Sequence, residues 1–278
     1  MSELSTTVVN PNQVLWEKGD FTRLAETMRS SGSRLVESLG IRSGMEVLDL
    51  GCGDGTTALP AARLGANVLG VDIARNLVEA GRLRAEAEGL KNLRFEQGDA
   101  TNLANISDKR FELVVSIFGA MFAPKPMDVA RELVRVTRTG GRIVMGNWIP
   151  GDPTLVAQIL RIASAYTPPP PEGFISPMLW GVESHVTERF AAAGIAPENI
   201  SFQRDTYTFE APISTTEFLE RFRYFYGPTM NAFDAAEKAG KANDLHRELE
   251  ELFEAQNQSG QPEAIRIPAT FLRVTVSR

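Results

Sequence analysis

The sequence contains one cysteine and two histidines among 278 residues. A single thiol excludes an internal disulfide and a thiolate-bound metal cluster. Cys52 lies inside a glycine turn, where a small packing residue suffices, and no metal is expected as a cofactor. Basic residues are also scarce: 29 Lys and Arg against 35 Asp and Glu leave a net charge of −6. That balance provides no positive field for nucleic-acid phosphates or an anionic membrane surface, so a small or neutral substrate is favoured. No apolar stretch is long enough to span a bilayer, and "MSELSTTVVNPNQ" lacks the basic-then-apolar order of a secretion signal; a cytoplasmic protein is expected. No internal repeat is present. The 43% hydrophobic content is enough for the core of one large domain, or of one domain plus a cap.

Through Gly146, short apolar runs alternate with amphipathic stretches, which predicts a parallel sheet covered by helices. The expected strands are Met45 to Leu50, Asn67 to Asp72, Leu93 to Gly98, Phe111 to Phe118 and Gly141 to Trp148, read as five βα units. Between them, "NLVEAGRLRAEAEG" and "PMDVARELVRVTRTGG" carry apolar residues at helical spacing and end in glycine.

The regularity breaks after Trp148, at "IPGDPT" and at "TPPPPEG", whose four prolines predict a stiff connector within a substrate-side insertion. A helix, "ESHVTERFAAAG", and a strand, "ISFQRDTYTFE", follow. At the end of the chain, "TFLRVTV" sets Leu272, Val274 and Val276 against Phe271, Arg273 and Thr275, as in a half-buried strand. Between these strands a helical excursion runs over roughly Ser214 to Ala264, with Phe218, Phe222 and Phe225 on one helix face and Leu245, Leu249, Leu252 and Phe253 on another. Core packing is the ordinary role of such stripes. The same helices could instead join two copies in a homodimer.

The glycine loop "VLDLGCGDG", Val47 to Gly55, follows a strand and precedes a helix, where free backbone N–H groups attract an anionic group. The dinucleotide fingerprint needs glycine at the first, third and sixth positions; here these are Gly51, Gly53 and Thr56, so the third requirement fails. Asp49 would oppose a pyrophosphate but could accept a hydrogen bond from an ammonium group, so a ligand with both ammonium and carboxylate fits better. Asp72, ending the next strand, can accept from both ribose hydroxyls. In "GDATNL", Asp99 can accept from an adenine amino group while the Ala100 N–H donates to a ring nitrogen. Three successive strand ends thus describe an amino acid, a ribose and an adenine.

With these residues in view, the chain resembles the class I S-adenosylmethionine-dependent methyltransferases, particularly the small-molecule group that includes the ubiquinone and menaquinone C-methyltransferases. The resemblance rests on "VLDLGCGDG", "GVDIA", "QGDATNL", "FELVVSIFGAMFAP" and "RVTRTGGRIVMGNW", in order over Met45 to Trp148. It implies a Rossmann-like α/β fold: a seven-stranded sheet, mostly parallel with an antiparallel last strand, helices on both faces, and here helical cap insertions. S-Adenosylmethionine is the implied cofactor and S-adenosylhomocysteine the product. By carry-over, Asp49, Gly51 and Gly53 surround the methionine portion, Asp72 holds the ribose, Ile73 packs on adenine, and Asp99 with Ala100 reads its edge. Ser116 to Phe118 would border the methyl group. "WEKGDF" is similar to the family's lid, with Trp16 and Phe21 over the cofactor; docking of the first helix is the plainer role for that pair. The expected division is a helical lid at 1–40, a cofactor-binding core at 41–149, the insertion at 150–182, the rest of the sheet at 183–210 and 266–278, and a helical cap at 211–265.

Methyl transfer from a sulfonium is an in-line displacement with a neutral leaving group, so positioning supplies much of the rate. A base is needed only for a protonated, weakly acidic acceptor. The expected substrate pocket contains Phe118, Met121, Trp148, Trp180 and Tyr224, with His185 as base or hydrogen-bond partner; a helix-start histidine bonded locally is the plainer alternative. His246 is expected on a solvated helix face, and Tyr166 and Tyr226 either in the core or at the pocket. "SIFGAM" replaces the "NPPY"-like motif of adenine-N6 enzymes, and one cysteine cannot serve cytosine-C5 or arsenite chemistry. Two alternatives stay open: a protein that binds the cofactor without transfer, and a nicotinamide-dependent oxidoreductase. Thr56 counts against the second, as does the lack of lysine four residues after any tyrosine.

Overall fold

A computed structural model describes residues 10–278. Seven strands form one sheet: β1 (Glu46–Leu50), β2 (Asn67–Asp72), β3 (Leu93–Gln97), β4 (Phe111–Ile117), β5 (Thr137–Trp148), β6 (Ile200–Ala211) and β7 (Ile265–Ser277), in the order β3-β2-β1-β4-β5-β7-β6. β1 pairs in parallel with β2 and β4, as do β2 with β3 and β4 with β5. β7 runs antiparallel between β5 and β6. The continuous burial of Val47 to Leu50 and of Val68 to Asp72 reflects central strands covered on both faces. Strand order reverses between β1 and β4, and the crevice beyond the strand ends at such a switch point is where ligands bind in open α/β sheets.

The helices are α1 (Pro11–Glu17), α2 (Thr22–Ala25), α3 (Arg29–Glu37), α4 (Ala58–Arg63), α5 (Arg75–Ala87), α6 (Pro126–Val136), α7 (Leu155–Tyr166), α8 (Glu183–Ala192), α9 (Thr215–Phe225), α10 (Gly227–Lys238) and α11 (Ala242–Gln256). α4 and α5 pack on β2 and β3, α6 on β5, and α8 on α6. α7, from the expected insertion, packs against α10 and α11, so insertion and cap form one helical layer.

Several sequence expectations change. Residues 98–110 join β3 to β4 without a helix, so the βα alternation is interrupted there. The helix begun at Pro126 ends at Val136, and "TRTGG" already belongs to β5, which shifts register against β4 between Phe111 and Leu113. Phe271 and Leu272 are both buried because β7 lies inside the sheet. Of the expected lid at 1–40, residues 1–9 lie outside the described residues, and α3 packs against β6 and α4 instead of covering the crevice.

Candidate functional site

The loops after β1 and β4 meet at the switch point. Gly51 adopts φ +71°, in the left-handed region, and a Cβ there would lie 2.5 Å from the Gly119 Cα. Ser116 ties the same loops together: its hydroxyl donates to the Leu50 carbonyl (2.7 Å) and accepts from the Ala120 N–H (3.0 Å). Phe118, two residues on, is held at φ +58°, uncommon for a residue with a side chain. Its ring stacks on Trp148 at 3.7 Å and 8° between planes, while Tyr207 and Phe271 meet it edge-on.

Above the strand ends lies a cavity with about 1150 Å³ of empty space, including its open mouth. Asp49, Gly51 and Gly53 line it from β1 and its loop, and Asp72 and Ile73 from the end of β2. Asp99 and Ala100 follow from beyond β3, then Phe118 and Trp148 from β4 and β5. Trp16 and Phe21 close it from above. These residues, scattered from position 16 to position 148, are thus brought to one chamber.

Asp49 is buried; its Oδ2 has no hydrogen-bond partner, and the Ala58 N–H is the backbone donor to its carboxyl. Burial, reinforced by the nearby Asp72 charge, pushes its pKa up to about 8. Asp72 is buried too, and that raises its pKa despite N–H donors from Gly53 and Ala74, each at 2.9 Å. Asp99 accepts from the Thr101 N–H and hydroxyl at 2.8 Å, and from Asn10 Nδ2 at 2.9 Å. Asn10 also caps α1. Glu17, at the far end of that helix, accepts from the Arg75 N–H at 2.9 Å. Both ends of α1 are therefore anchored on the strand-end side of the cavity. Asp54, buried in the glycine loop, pairs with Arg29 (3.1 Å) and Arg84 (3.0 Å).

Other expected site residues are not in the chamber wall. Ser116 acts on the loops. Met121 is buried elsewhere in the core, and Trp180 packs against Phe190 under the guanidinium of Arg189. The His185 side chain is 43% exposed, with Nδ1 3.8 Å from Glu188, because α8 turns Val186, Arg189 and Phe190 inward instead. Tyr224 is 51% exposed, whereas Tyr226 is 5% exposed and lines the cavity. On α9 the buried face runs through Phe218 and Phe222; four residues further is Tyr226, while Tyr224 falls on the opposite side. Tyr166 donates its hydroxyl to Glu248 on the surface. The spacing from Phe222 to Tyr226 was the available sequence signal; nothing local pointed to Tyr207, Asn10 or Gly119. Among the described residues, no three His, Cys, Asp or Glu side chains are grouped to hold a metal ion, and no helix is long and apolar enough to cross a membrane.

The sheet order, the glycine turn and the row of strand-end carboxylates are those of an open α/β protein with a ligand crevice at its switch point. Residues 41–161 match the family model of a methyltransferase domain. The uncharacterized protein Rv1403c of Mycobacterium tuberculosis is 34% identical over 220 residues, 79% of this chain and 78% of its own. The demethylmenaquinone methyltransferase of Paenarthrobacter aurescens is 32% identical over 114 residues, 41% of this chain and 43% of its own. In fold, the chain is similar to the Haemonchus contortus phosphoethanolamine N-methyltransferase 2, solved with phosphomonomethylethanolamine and S-adenosylhomocysteine. There the TM-score is 0.60 at 15% identity, covering 97% of this chain and 60% of that one. The chain belongs to the class I S-adenosylmethionine-dependent methyltransferases. The site fits that cofactor on its own chemistry: Asp49 lines the cavity and its buried Oδ2 has no protein partner, an acceptor suited to an ammonium donor.

Proposed function

We propose that the chain methylates a small-molecule acceptor inside this chamber, by in-line displacement on bound S-adenosylmethionine. The observation that carries the proposal is Asp49, whose buried Oδ2 has no partner, in the wall of a cavity that continues from the strand-end carboxylates into an aromatic space. Asp49 takes the ammonium group, with Gly51 and Gly53 allowing the amino-acid end to approach the backbone. Asp72 accepts the ribose hydroxyls; its two backbone donors hold its carboxyl in place. Ile73 lies against adenine, and Asp99 with Ala100 reads its edge. The adenine amino group shares Asp99 with Asn10, which couples adenine binding to docking of α1. Trp16 and Phe21 cover the ligand.

When bound, the cofactor supplies a methyl group on a sulfonium that leaves as a neutral thioether. The chain's part is to place the acceptor and to exclude water, and alignment of this kind is worth about 7–11 kcal/mol of a barrier. Among the described residues, no lysine, arginine or histidine lines the cavity. The mechanism therefore assigns no base to His185. Roofing by α1, α2 and the α9–α10 corner supports a small-molecule acceptor. Calorimetry with S-adenosylhomocysteine tests the site, and label transfer from S-adenosylmethionine into a metabolite extract tests the activity. The expected results are saturable binding and a labelled small product; labelling confined to protein or nucleic acid would overturn the acceptor class.

A further inference from the structure

The chamber has two chemically distinct halves. Toward β1, β2 and β3 its wall carries carboxylates. Toward the lid and cap it is aromatic, with Phe118 stacked on Trp148 and with Trp16 5.0 Å from Phe122 and 5.9 Å from Tyr226, centre to centre. Tyr207 donates its hydroxyl to the Met28 carbonyl at 3.1 Å. Tyr226 makes no side-chain hydrogen bond to any described residue, and burial alone pushes its hydroxyl pKa upward. The residue is buried, but its hydroxyl oxygen is not sealed from solvent: in the cavity wall it is left to water or to a ligand.

The placement of Tyr226 is built into the fold. It ends α9 and begins α10, and Pro228 stands in the first turn of the second helix. The Thr229 hydroxyl donates to the carbonyls of Phe222 and Tyr226, holding the corner. A Cβ on the next residue, Gly227, would lie 2.5 Å from the Leu15 carbonyl oxygen, so α1 lies directly against this corner. Lys18, just past α1, pairs with Asp234 of α10 at 2.6 Å. The lid that covers the cofactor region is thus the element that backs Tyr226.

We propose that Tyr226 is the residue that recognises the acceptor, its hydroxyl binding the polar group of an uncharged, predominantly apolar molecule held in the aromatic half of the chamber. This rests on the methyltransferase function proposed above. An anionic acceptor would meet carboxylates and no cation among the lining residues. A charged group of either sign would lose its hydration on entering the aromatic half, and the aromatic faces return only part of that loss to a cation.

The test uses the full chain saturated with S-adenosylhomocysteine and three bicyclic probes of similar size at neutral pH: neutral 2-naphthol, anionic 2-naphthoate and cationic N-methylquinolinium. Binding is read by tryptophan fluorescence, with Trp16 and Trp148 in the wall. The expected order is 2-naphthol at least tenfold tighter than either ion. Tyr226→Phe weakens 2-naphthol about five- to tenfold, as loss of a buried hydrogen bond would, and leaves naphthalene binding as in the wild type. Equal or tighter binding of an ion, failure of 2-naphthol to bind, or wild-type affinity for it in Tyr226→Phe would each overturn the inference. Calorimetry with S-adenosylhomocysteine alone separates the two levels. S-Adenosylhomocysteine binding without 2-naphthol binding removes this inference only, whereas absence of both removes the cofactor site. It also checks that Tyr226→Phe is folded, and the charge series on the wild type stands without the variant.

Discussion

The backbones of Gly51 and Gly119 are in direct contact: a Cβ on Gly51 would lie 2.5 Å from the Gly119 Cα, and one on Gly119 would lie 2.6 Å from the Gly51 Cα. Gly51 also needs its positive φ, whereas Gly119 sits at φ −97°. Gly119→Ala therefore reports the clash alone, and Gly51→Ala the clash plus backbone strain. Each is expected to cost roughly 2–4 kcal/mol in urea unfolding, Gly51→Ala the more. Both are expected to weaken S-adenosylhomocysteine binding by displacing Phe118. A variant with wild-type stability would show that the loops can separate freely.

In the proposed site, Asp49 is expected to make cofactor binding depend on pH. Its carboxyl is raised from 3.8 to about 8, so it is protonated in the free protein at neutral pH and must ionise to receive an ammonium group. Affinity for S-adenosylhomocysteine is expected to rise with pH toward about 8, by at most about tenfold per unit, with proton release visible in buffers of different ionisation enthalpy. The free protein behaves oppositely. A raised acid contributes stability that is complete below pH 3.8 and is lost as pH climbs to about 8. Asp49→Asn is expected to flatten both profiles; unchanged slopes would assign them to another group.

Asp72→Ala is expected to weaken S-adenosylhomocysteine about a hundredfold or more, because two ribose hydroxyls lose a charged acceptor, each bond being worth about 1.5–3 kcal/mol. The loop N–H groups of Gly53 and Ala74 lose their anchor at the same time. Undiminished calorimetric binding would refute the ribose assignment.

Trp16→Ala is expected to leave global unfolding nearly unchanged, since α1 lies at the periphery. It removes a ring packed on Phe21, Phe122 and Tyr226. Lost burial of about 2 kcal/mol corresponds to roughly thirtyfold in affinity for S-adenosylhomocysteine. Equal affinity would limit Trp16 to docking the first helix.

His185→Ala is expected to keep label transfer from S-adenosylmethionine within about twofold of the wild type, as is Tyr224→Phe, because both side chains are exposed outside the chamber. A large loss of turnover in His185→Ala would restore it as a catalytic candidate.

Much of the sheet was legible because central parallel strands are continuous apolar runs, and their C-terminal ends carry the cavity-lining residues. Asp49, Asp72 and Asp99 could be placed at one edge from strand order alone. The cap was less legible. A stripe such as Phe218 and Phe222 shows which face is buried, but not whether it meets core or cavity, and the choice of Tyr224 over Tyr226 missed the helical phase. His185 could not be placed at all, since local pattern does not say where an insertion returns.

By itself the sequence determined the strand ends, the glycine turn unsuited to a dinucleotide, and the shortage of basic and thiol groups, each a local or compositional property. Only the tertiary structure decided that Asn10 reaches Asp99 across 89 positions, that Gly51 and Gly119 touch, and that Tyr226 faces inward beside Trp16. The physical reason is that these contacts join segments remote along the chain. Their geometry is set by how lid, sheet and cap pack, which no local spacing of residues encodes.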